Sequence, residues 1–150
     1  MYFAAKSEIA AATEDPSHAV AMPSHPWRLV IADDLRDTAD SLADLLRLHG
    51  HQVRTAYDGE EAVAAAEEFR PEAVLMDIGM PKQDGYAACR QIRNTEWGRD
   101  IVIVALTGWG QMVDREQTAA AGFTRHLVKP VDYVTLLKVL NELRSEPSAT

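Results

Sequence analysis

The feature that most constrains the fold is a fivefold alternation of short apolar segments with longer amphipathic segments between positions 28 and 144. Apolar runs such as 29–32 and 73–76 have the length and composition of buried strands. After the first run, apolar residues recur at helical spacing, as Leu35, Ala39 and Leu42 do. Strands that alternate with helices of about 10–15 residues predict a parallel sheet with helices on both faces.

The bounds of the predicted elements follow from turn and capping residues. Strands are predicted at 29–32, 52–56, 73–76, 101–106 and 124–128, and helices at 35–49, 58–68, 84–94, 111–121 and 132–144. Asp58 and Asp132 suit N-caps, while Pro71 and Gly122 end the helices before them. The predicted fold class is α/β, a (βα)5 doubly wound parallel sheet of five strands in the flavodoxin-like order 2-1-3-4-5.

The residues outside the alternating pattern predict two tails. Pro16, Pro23 and Pro26 break any regular element in residues 1–26, so this segment is predicted to be an N-terminal tail or linker, partly disordered. Residues 27–145 form one domain in this interpretation, and 146–150 form a short C-terminal tail.

Composition limits the classes of partner. A formal net charge of −8 argues against a nucleic-acid partner, because contacts to phosphates need a basic surface. The single cysteine, Cys89, cannot form an internal disulfide, and no apolar run reaches the roughly 18–20 residues that span a bilayer. The sequence therefore predicts a cytoplasmic protein, a monomer or weak dimer, with neither a membrane nor a nucleic acid as partner.

Polar residues stand at the ends of four of the five predicted strands. Asp33 and Asp34 follow the first strand, Asp77 ends the third, Thr107 follows the fourth, and Lys129 and Pro130 follow the fifth. In the order 2-1-3-4-5 these strand ends meet at one edge of the sheet, where doubly wound folds bind their ligands. We therefore expect these side chains to surround a single site.

Three carboxylates at one edge would repel each other and raise one another's pKa unless a cation lies between them. Mg²⁺ suits an all-oxygen site because it binds through one or two carboxylates, waters and phosphate oxygens. With Lys129 nearby the site would be close to neutral, and a phosphoryl group could approach. The lysine and the hydroxyl of Thr107 could then stabilise charge on that group.

These residues carry a family resemblance. Asp33 and Asp34, the run 77–86 (DIGMPKQDGY), Thr107 and Lys129 with Pro130 together resemble the receiver domain of two-component response regulators. The resemblance covers roughly residues 28–143. The segments around Thr107 and Lys129 are most similar to receivers of hybrid sensor histidine kinases.

The resemblance implies a role for each acidic residue. It implies that Asp77 is the phosphoacceptor and that Asp34 is a direct carboxylate ligand of Mg²⁺. Asp33 would act on the metal partly through water, and Gly79 would offer its backbone carbonyl to the ion.

The resemblance also implies how the domain would switch. Thr107 would move to hydrogen-bond the phosphoryl group, Lys129 would form a salt bridge to it, and Pro130 would follow a cis peptide bond. The family often has Tyr or Phe three residues before the lysine, where this chain has His126, so aromatic coupling would run through a titratable ring. The remaining histidines lack the spacing of a zinc site and are interpreted as structural.

The partners implied are a histidine kinase or a histidine phosphotransfer protein as the phosphoryl donor. A downstream protein would bind the face made by helix four, strand five and helix five. Two rival functions stay open: a phosphatase with an aspartate nucleophile, disfavoured because Gly79 stands where such enzymes have a second Asp, and an interaction module that works without phosphorylation. No enzyme that turns over a substrate is expected, beyond self-phosphorylation and slow self-dephosphorylation.

Overall fold

The computed structural model describes residues 26–81, 84–108, 110 and 113–145 of the 150-residue chain. Apart from Pro26, the predicted tails 1–26 and 146–150 lie outside these residues, so their assignment stays a prediction. Among the helices that the structure describes, none is both long and apolar enough to cross a bilayer.

Strands and helices alternate along the described chain. The elements are β1 (Arg28–Ala32), α1 (Arg36–Leu48), β2 (Gln52–Ala56), α2 (Gly59–Phe69), β3 (Ala73–Asp77), α3 (Asp84–Arg93), β4 (Val102–Thr107), α4 (Arg115–Ala121), β5 (Arg125–Val128) and α5 (Tyr133–Ser145). The strands form one parallel sheet in the order β2-β1-β3-β4-β5, which confirms the predicted fold class.

Side-chain caps explain several helix ends. Asp58 Oδ1 accepts from Glu61 N at 2.8 Å, and Asp132 Oδ1 accepts from Thr135 N at 2.9 Å, as the sequence predicts. The prediction that the fourth helix starts at Gln111 is wrong. Asp114 caps this helix by accepting from the amides of the second and third helical residues, so the helix begins at Arg115.

Two apolar layers cover the sheet. One packs α1 and α5 on large side chains that include Leu29, Leu75 and Leu136, all fully buried. The other packs α2 and α3 on smaller side chains, among them Ala62, Ala66 and Cys89. Each buried leucine contributes about 1.5–3 kcal/mol, so the first layer supplies much of the stability of the fold.

Arg93 at the end of α3 ties three elements together. Its Nε donates to Gly122 O at 2.8 Å, and its Nη1 donates to Gly98 O at 2.8 Å and Ile101 O at 2.6 Å. Its Nη2 donates to Thr124 Oγ1 at 3.1 Å. This fork therefore joins the last turn of α3 to the chain before β4 and to the C-cap of α4.

Candidate phosphoryl and metal site

The carboxylates of Asp33, Asp34 and Asp77 lie together at the carboxyl edge of the sheet. One carboxylate oxygen from each residue falls within 4.8 Å of the others. The strand order brings the acids together, because β1 pairs directly with β3 and both strands end on the same side of the sheet. The structure thus places the three acids as the sequence predicts.

The three acids differ in burial and in hydrogen bonding. Asp33 is fully buried and its Oδ1 accepts from Leu35 N at 2.9 Å, which holds it at the start of α1. Asp77 is also buried, and its Oδ1 accepts from Gly79 N at 2.7 Å. Asp34 is exposed. The site therefore has two oriented carboxylates inside and a third at its mouth.

Lys129 supplies a cation that bridges the two buried acids. Its Nζ lies 3.0 Å from Asp33 Oδ2 and 3.4 Å from Asp77 Oδ2. The peptide bond to Pro130 is cis, and Lys129 N donates to Thr107 O at 2.7 Å. Counted over the described residues, the Lys129 ammonium faces three carboxylates, which leaves an excess of negative charge among them.

The ionisation of the site follows from these contacts. Burial raises the pKa of the Asp77 carboxyl, and the charge of Asp33 raises it further, against the opposing effects of the Gly79 amide and Lys129. Burial alone would lower the pKa of Lys129, but hydrogen bonding and charge from Asp33 and Asp77 raise it above its ordinary value. The lysine is therefore charged at neutral pH, while Asp77 carries a charge that its surroundings do not fully stabilise.

Thr107 ends β4 beside the acids, but its side chain does not point at them. Its Oγ1 lies 3.5 Å from Leu127 O in a long hydrogen bond across to β5. Among the described residues, no hydrogen bond joins this hydroxyl to Asp33 or Asp77. In this structure the hydroxyl is therefore directed to the β5 carbonyl and not to the acids.

His126 lies within β5, three residues before Lys129. It is half-buried and pairs in register with Ala105, whose side chain packs beside Tyr86 and Phe123. His126 is thus placed on the face of the sheet that packs against α3 and α4. Strand β4 lies between it and β3, the strand that ends in Asp77.

Gly85 has a role at the site because it lets α3 approach the end of β3 closely. A Cβ at this position would stand 2.6 Å from Asp77 O, so α3 presses directly on the backbone of β3. Only glycine permits this approach, which fixes the carbonyl end of Asp77.

A cleft of about 560 Å³ opens beside the acids, between α1 and the chain that follows β5. Its walls are largely apolar and include Leu35, Leu42 and Val131, while Asp33 and Lys129 lie at its edge. No sequence pattern predicts this cleft, because its two walls lie about 90 residues apart in the chain.

The donor set fits a hard divalent cation. All three acids offer oxygen, the excess negative charge calls for a cation, and the exposed mouth leaves room for waters or a phosphate. Asp33, Asp34 and Asp77 could therefore hold Mg²⁺, with the Gly79 carbonyl in the same loop.

Comparison with known proteins gives the family. The model of the response regulator receiver domain matches residues 29–141, which is most of the chain. The chain therefore belongs to the response regulator receiver domain family of two-component signalling, whose members typically bind Mg²⁺ at an acidic pocket.

Two curated relatives illustrate the range of the family. The chain is 38% identical over 114 residues to protein PilH of Pseudomonas aeruginosa, covering 76% of this chain and 94% of PilH. It is 36% identical over 118 residues to the response regulator MprA of Mycolicibacterium vanbaalenii, covering 79% of this chain. The match spans only about half of MprA, at 50% of its length.

Solved structures agree with this assignment. The magnesium-bound receiver domain of the sensor histidine kinase PA1611 from Pseudomonas aeruginosa has a TM-score of 0.71 at 34% identity, over 81% of this chain and all of that one. The receiver domain of Ssk1 from Saccharomyces cerevisiae, solved with the histidine phosphotransfer protein Ypd1, has a TM-score of 0.69 at 27% identity, over 79% and 88% of the two chains.

Proposed function

We propose that the chain is a phosphorylation-dependent switch or phosphorelay intermediate in which Asp77 accepts a phosphoryl group from a phosphohistidine. The observation that carries the proposal is the cluster of Asp33, Asp34 and Asp77 at the carboxyl ends of the strands, with the Lys129 ammonium bound to the two buried acids, Asp33 and Asp77. This arrangement favours a ligand that brings both a divalent cation and a dianionic group.

Asp77 is the acceptor in this proposal because its carboxylate is oriented and only partly stabilised. The Gly79 amide holds Oδ1, and Oδ2 is 3.4 Å from Lys129. A carboxylate oxygen attacks phosphorus in line as the bond from phosphorus to the donor imidazole nitrogen breaks. The electron pair of that bond stays on the imidazole, and an acyl phosphate forms on Asp77.

All three carboxylates of the cluster would contribute to holding the metal in this mechanism. Asp34 and Asp77 would ligate Mg²⁺ directly with the Gly79 carbonyl, and Asp33 would contribute partly through water. When bound, Mg²⁺ neutralises charge on the transferring phosphoryl oxygens. Lys129 would exchange its contact with Asp77 for one with the phosphoryl group while keeping its 3.0 Å bond to Asp33.

Switching would use the side chain of Thr107. Its long bond to Leu127 O is easily given up, and a phosphoryl oxygen offers a charged acceptor that hydrogen-bonds more strongly. Turning of Thr107 would then bias the position of β5 and the α4 side of the sheet, where His126 lies. We infer that a downstream protein reads the face of α4, β5 and α5.

The donor in this proposal is a histidine kinase or a histidine phosphotransfer protein. The solved complex of Ypd1 with the Ssk1 receiver supports the second alternative, because it pairs a histidine phosphotransfer protein with a similar domain. The apolar cleft beside Asp33 and Lys129 lies where such a donor would approach Asp77.

Phosphorylation by a small donor tests the proposal. Wild-type protein incubated with acetyl phosphate and Mg²⁺ should gain the mass of one phosphoryl group, sensitive to hydroxylamine as acyl phosphates are. Asp77→Asn should gain none, whereas Asp100→Asn, which changes an exposed acid before β4, should behave as wild type. Equal labelling of the Asp77→Asn variant would overturn the assignment, and so would labelling of wild type that persists undiminished in EDTA.

A further inference from the structure

A second polar cluster is centred on a residue at the amino ends of the strands. Its centre is His51, which precedes β2 and is only 4% exposed. The phosphotransfer chemistry does not use this histidine. Its ring lies between Trp27, which precedes β1, and Tyr133, the first residue of α5.

Two hydrogen bonds fix the ring of His51. Trp27 N donates to His51 Nδ1 at 2.9 Å, and His51 Nε2 lies 3.0 Å from Tyr133 Oη. A backbone amide can only donate, so Nδ1 must carry a lone pair. The neutral ring therefore bears its proton on Nε2, where it donates to the oxygen of Tyr133.

A second proton on the ring is incompatible with this arrangement. It would bind at Nδ1 and point at the amide hydrogen of Trp27, 2.9 Å away. Two donors would then face each other inside a buried contact, so the hydrogen bond from Trp27 N to Nδ1 could not persist. Protonation of His51 must therefore break the bond to Trp27.

The charges around His51 also oppose protonation. Burial lowers the pKa of His51, and the neighbouring His49 and Arg144 lower it further. His49 stacks on Tyr133 with ring centroids 3.9 Å apart, and Arg144 lies over the Trp27 ring at 3.5 Å. Burial raises the pKa of the Tyr133 hydroxyl, which stays neutral.

The other charged groups of the neighbouring elements have their own contacts. Glu72 Oε1 accepts from Arg144 Nη2 at 3.2 Å and from Arg28 N at 3.1 Å. Arg47 at the end of α1 donates to Val53 O at 2.7 Å. Besides burial, the groups that shift the pKa of His51 are its neighbours His49 and Arg144, and both lower it.

We propose that Trp27, His51 and Tyr133 form an acid-sensitive latch, which ties the start of β1 to the first turn of α5 and opens when His51 is protonated. The latch joins three segments that are distant in the chain, since Tyr133 lies 82 positions after His51. This proposal goes beyond the phosphorylation switch and does not depend on it.

The latch acts on the chain next to the acidic edge. Tyr133 follows Val131, which lines the cleft between α1 and the end of β5. Once the ring of His51 gives up its bond to Trp27 N, it no longer ties the first turn of α5 to the start of β1, although its Nε2–H can still donate to Tyr133. Lowering the pH below about 6.5 would thus change the surface that α5 presents, even when Asp77 carries no phosphoryl group.

Nuclear magnetic resonance of the unphosphorylated, metal-free protein tests the latch. The ring nitrogens of His51 should show the Nε2–H tautomer at pH 7.5 and a folded-state pKa below about 6.5. The protection factor of the Trp27 amide against hydrogen exchange, corrected for intrinsic rates, should fall by roughly tenfold for each pH unit below that pKa.

Two variants make the test specific. In His51→Asn a side-chain oxygen can replace Nδ1 as the acceptor but does not titrate, so protection of the Trp27 amide should become independent of pH between 5 and 7.5. His49→Gln changes the neighbouring histidine, which stacks on Tyr133, and should keep the pH dependence. The latch is refuted by a doubly protonated His51 at pH 7.5. It is equally refuted if wild type shows no pH dependence, or if His51→Asn keeps that of wild type. Labelling by acetyl phosphate is measured separately, so either proposal can fail alone.

Discussion

Polar groups are buried in different forms at the two ends of the parallel strands, which are called here the carboxyl edge and the amino edge of the sheet. At the carboxyl ends of the strands, three carboxylates lie together and the Lys129 ammonium binds two of them, so the described residues leave negative charge unbalanced. At the amino edge, the buried polar centre is a neutral imidazole whose two nitrogens are both hydrogen-bonded. The acidic cluster is suited to bind a further cation, whereas both ring nitrogens of His51 already have hydrogen-bond partners within the protein.

Folding consequently changes the proton affinity of Asp77 and of His51 in opposite directions. The folded state raises the pKa of Asp77 and so favours its protonated form, while it lowers the pKa of His51 and so favours its neutral form. By linkage, the stability gained from a neutral Asp77 is lost as the pH rises through its raised pKa. The stability gained from a neutral His51 is lost as the pH falls below about 6.5.

The largest expected effect comes from removing the cation at the carboxyl edge. Lys129→Met leaves Asp33 and Asp77 buried without their common partner and should lower the free energy of unfolding by about 3 kcal/mol at pH 7.5. Urea denaturation measures this loss. Lys138→Met, at an exposed position of α5, should change it by less than about 0.5 kcal/mol. A loss of similar size in both variants would show that the edge carries no particular charge imbalance.

Removal of the imidazole at the amino edge should have the next largest effect. His51→Ala leaves the buried amide of Trp27 without its acceptor and should cost about 2 kcal/mol in urea denaturation at pH 7.5. The cost should shrink at pH 5, where wild type has lost part of the same contact. His49→Ala serves as the control, and a cost independent of pH would mean that the two edges do not differ in this way.

The smallest expected effect is a gain in stability. Asp77→Asn mimics the protonated carboxyl, so in metal-free buffer at pH 7.5 it should raise the melting temperature by about 3 °C. The gain should decline as the pH is lowered towards 4, because wild type then takes up the proton itself. Mg²⁺ should stabilise wild type and offset the gain. A melting temperature that falls in this variant at neutral pH would contradict the direction of the Asp77 pKa.

The sequence predicted the carboxyl edge well because its residues obey a local rule. Asp33, Asp77 and Thr107 each stand at the end of an apolar strand, and the topology of a doubly wound sheet brings such ends together. The same logic gave all ten elements. The bounds were less exact, since the start of α4 depends on which acid caps it, and Asp114 rather than an earlier residue does so.

The amino edge could not be predicted because no local pattern marks it. His51 was interpreted as one of several structural histidines at a helix end, and Trp27 and Tyr133 lie 24 and 82 positions away. Their meeting depends on the packing of α5, and tertiary packing of this kind leaves no period in the sequence. The direction of the Thr107 hydroxyl was equally hidden, since a rotamer depends on neighbours that only the folded chain supplies.

The contacts of Arg93 have a consequence for how α4 can respond to events at Asp77. They anchor the carboxyl end of α4 through Gly122, while its amino end begins only at Arg115, on the side of the acids. Any rearrangement that keeps the guanidinium bonds intact must therefore be a pivot about that anchored end. The displacement of each residue of α4 would grow with its distance from Gly122. A small movement near Thr107 would therefore displace Arg115, at the far end of this seven-residue helix, more than any other residue of α4.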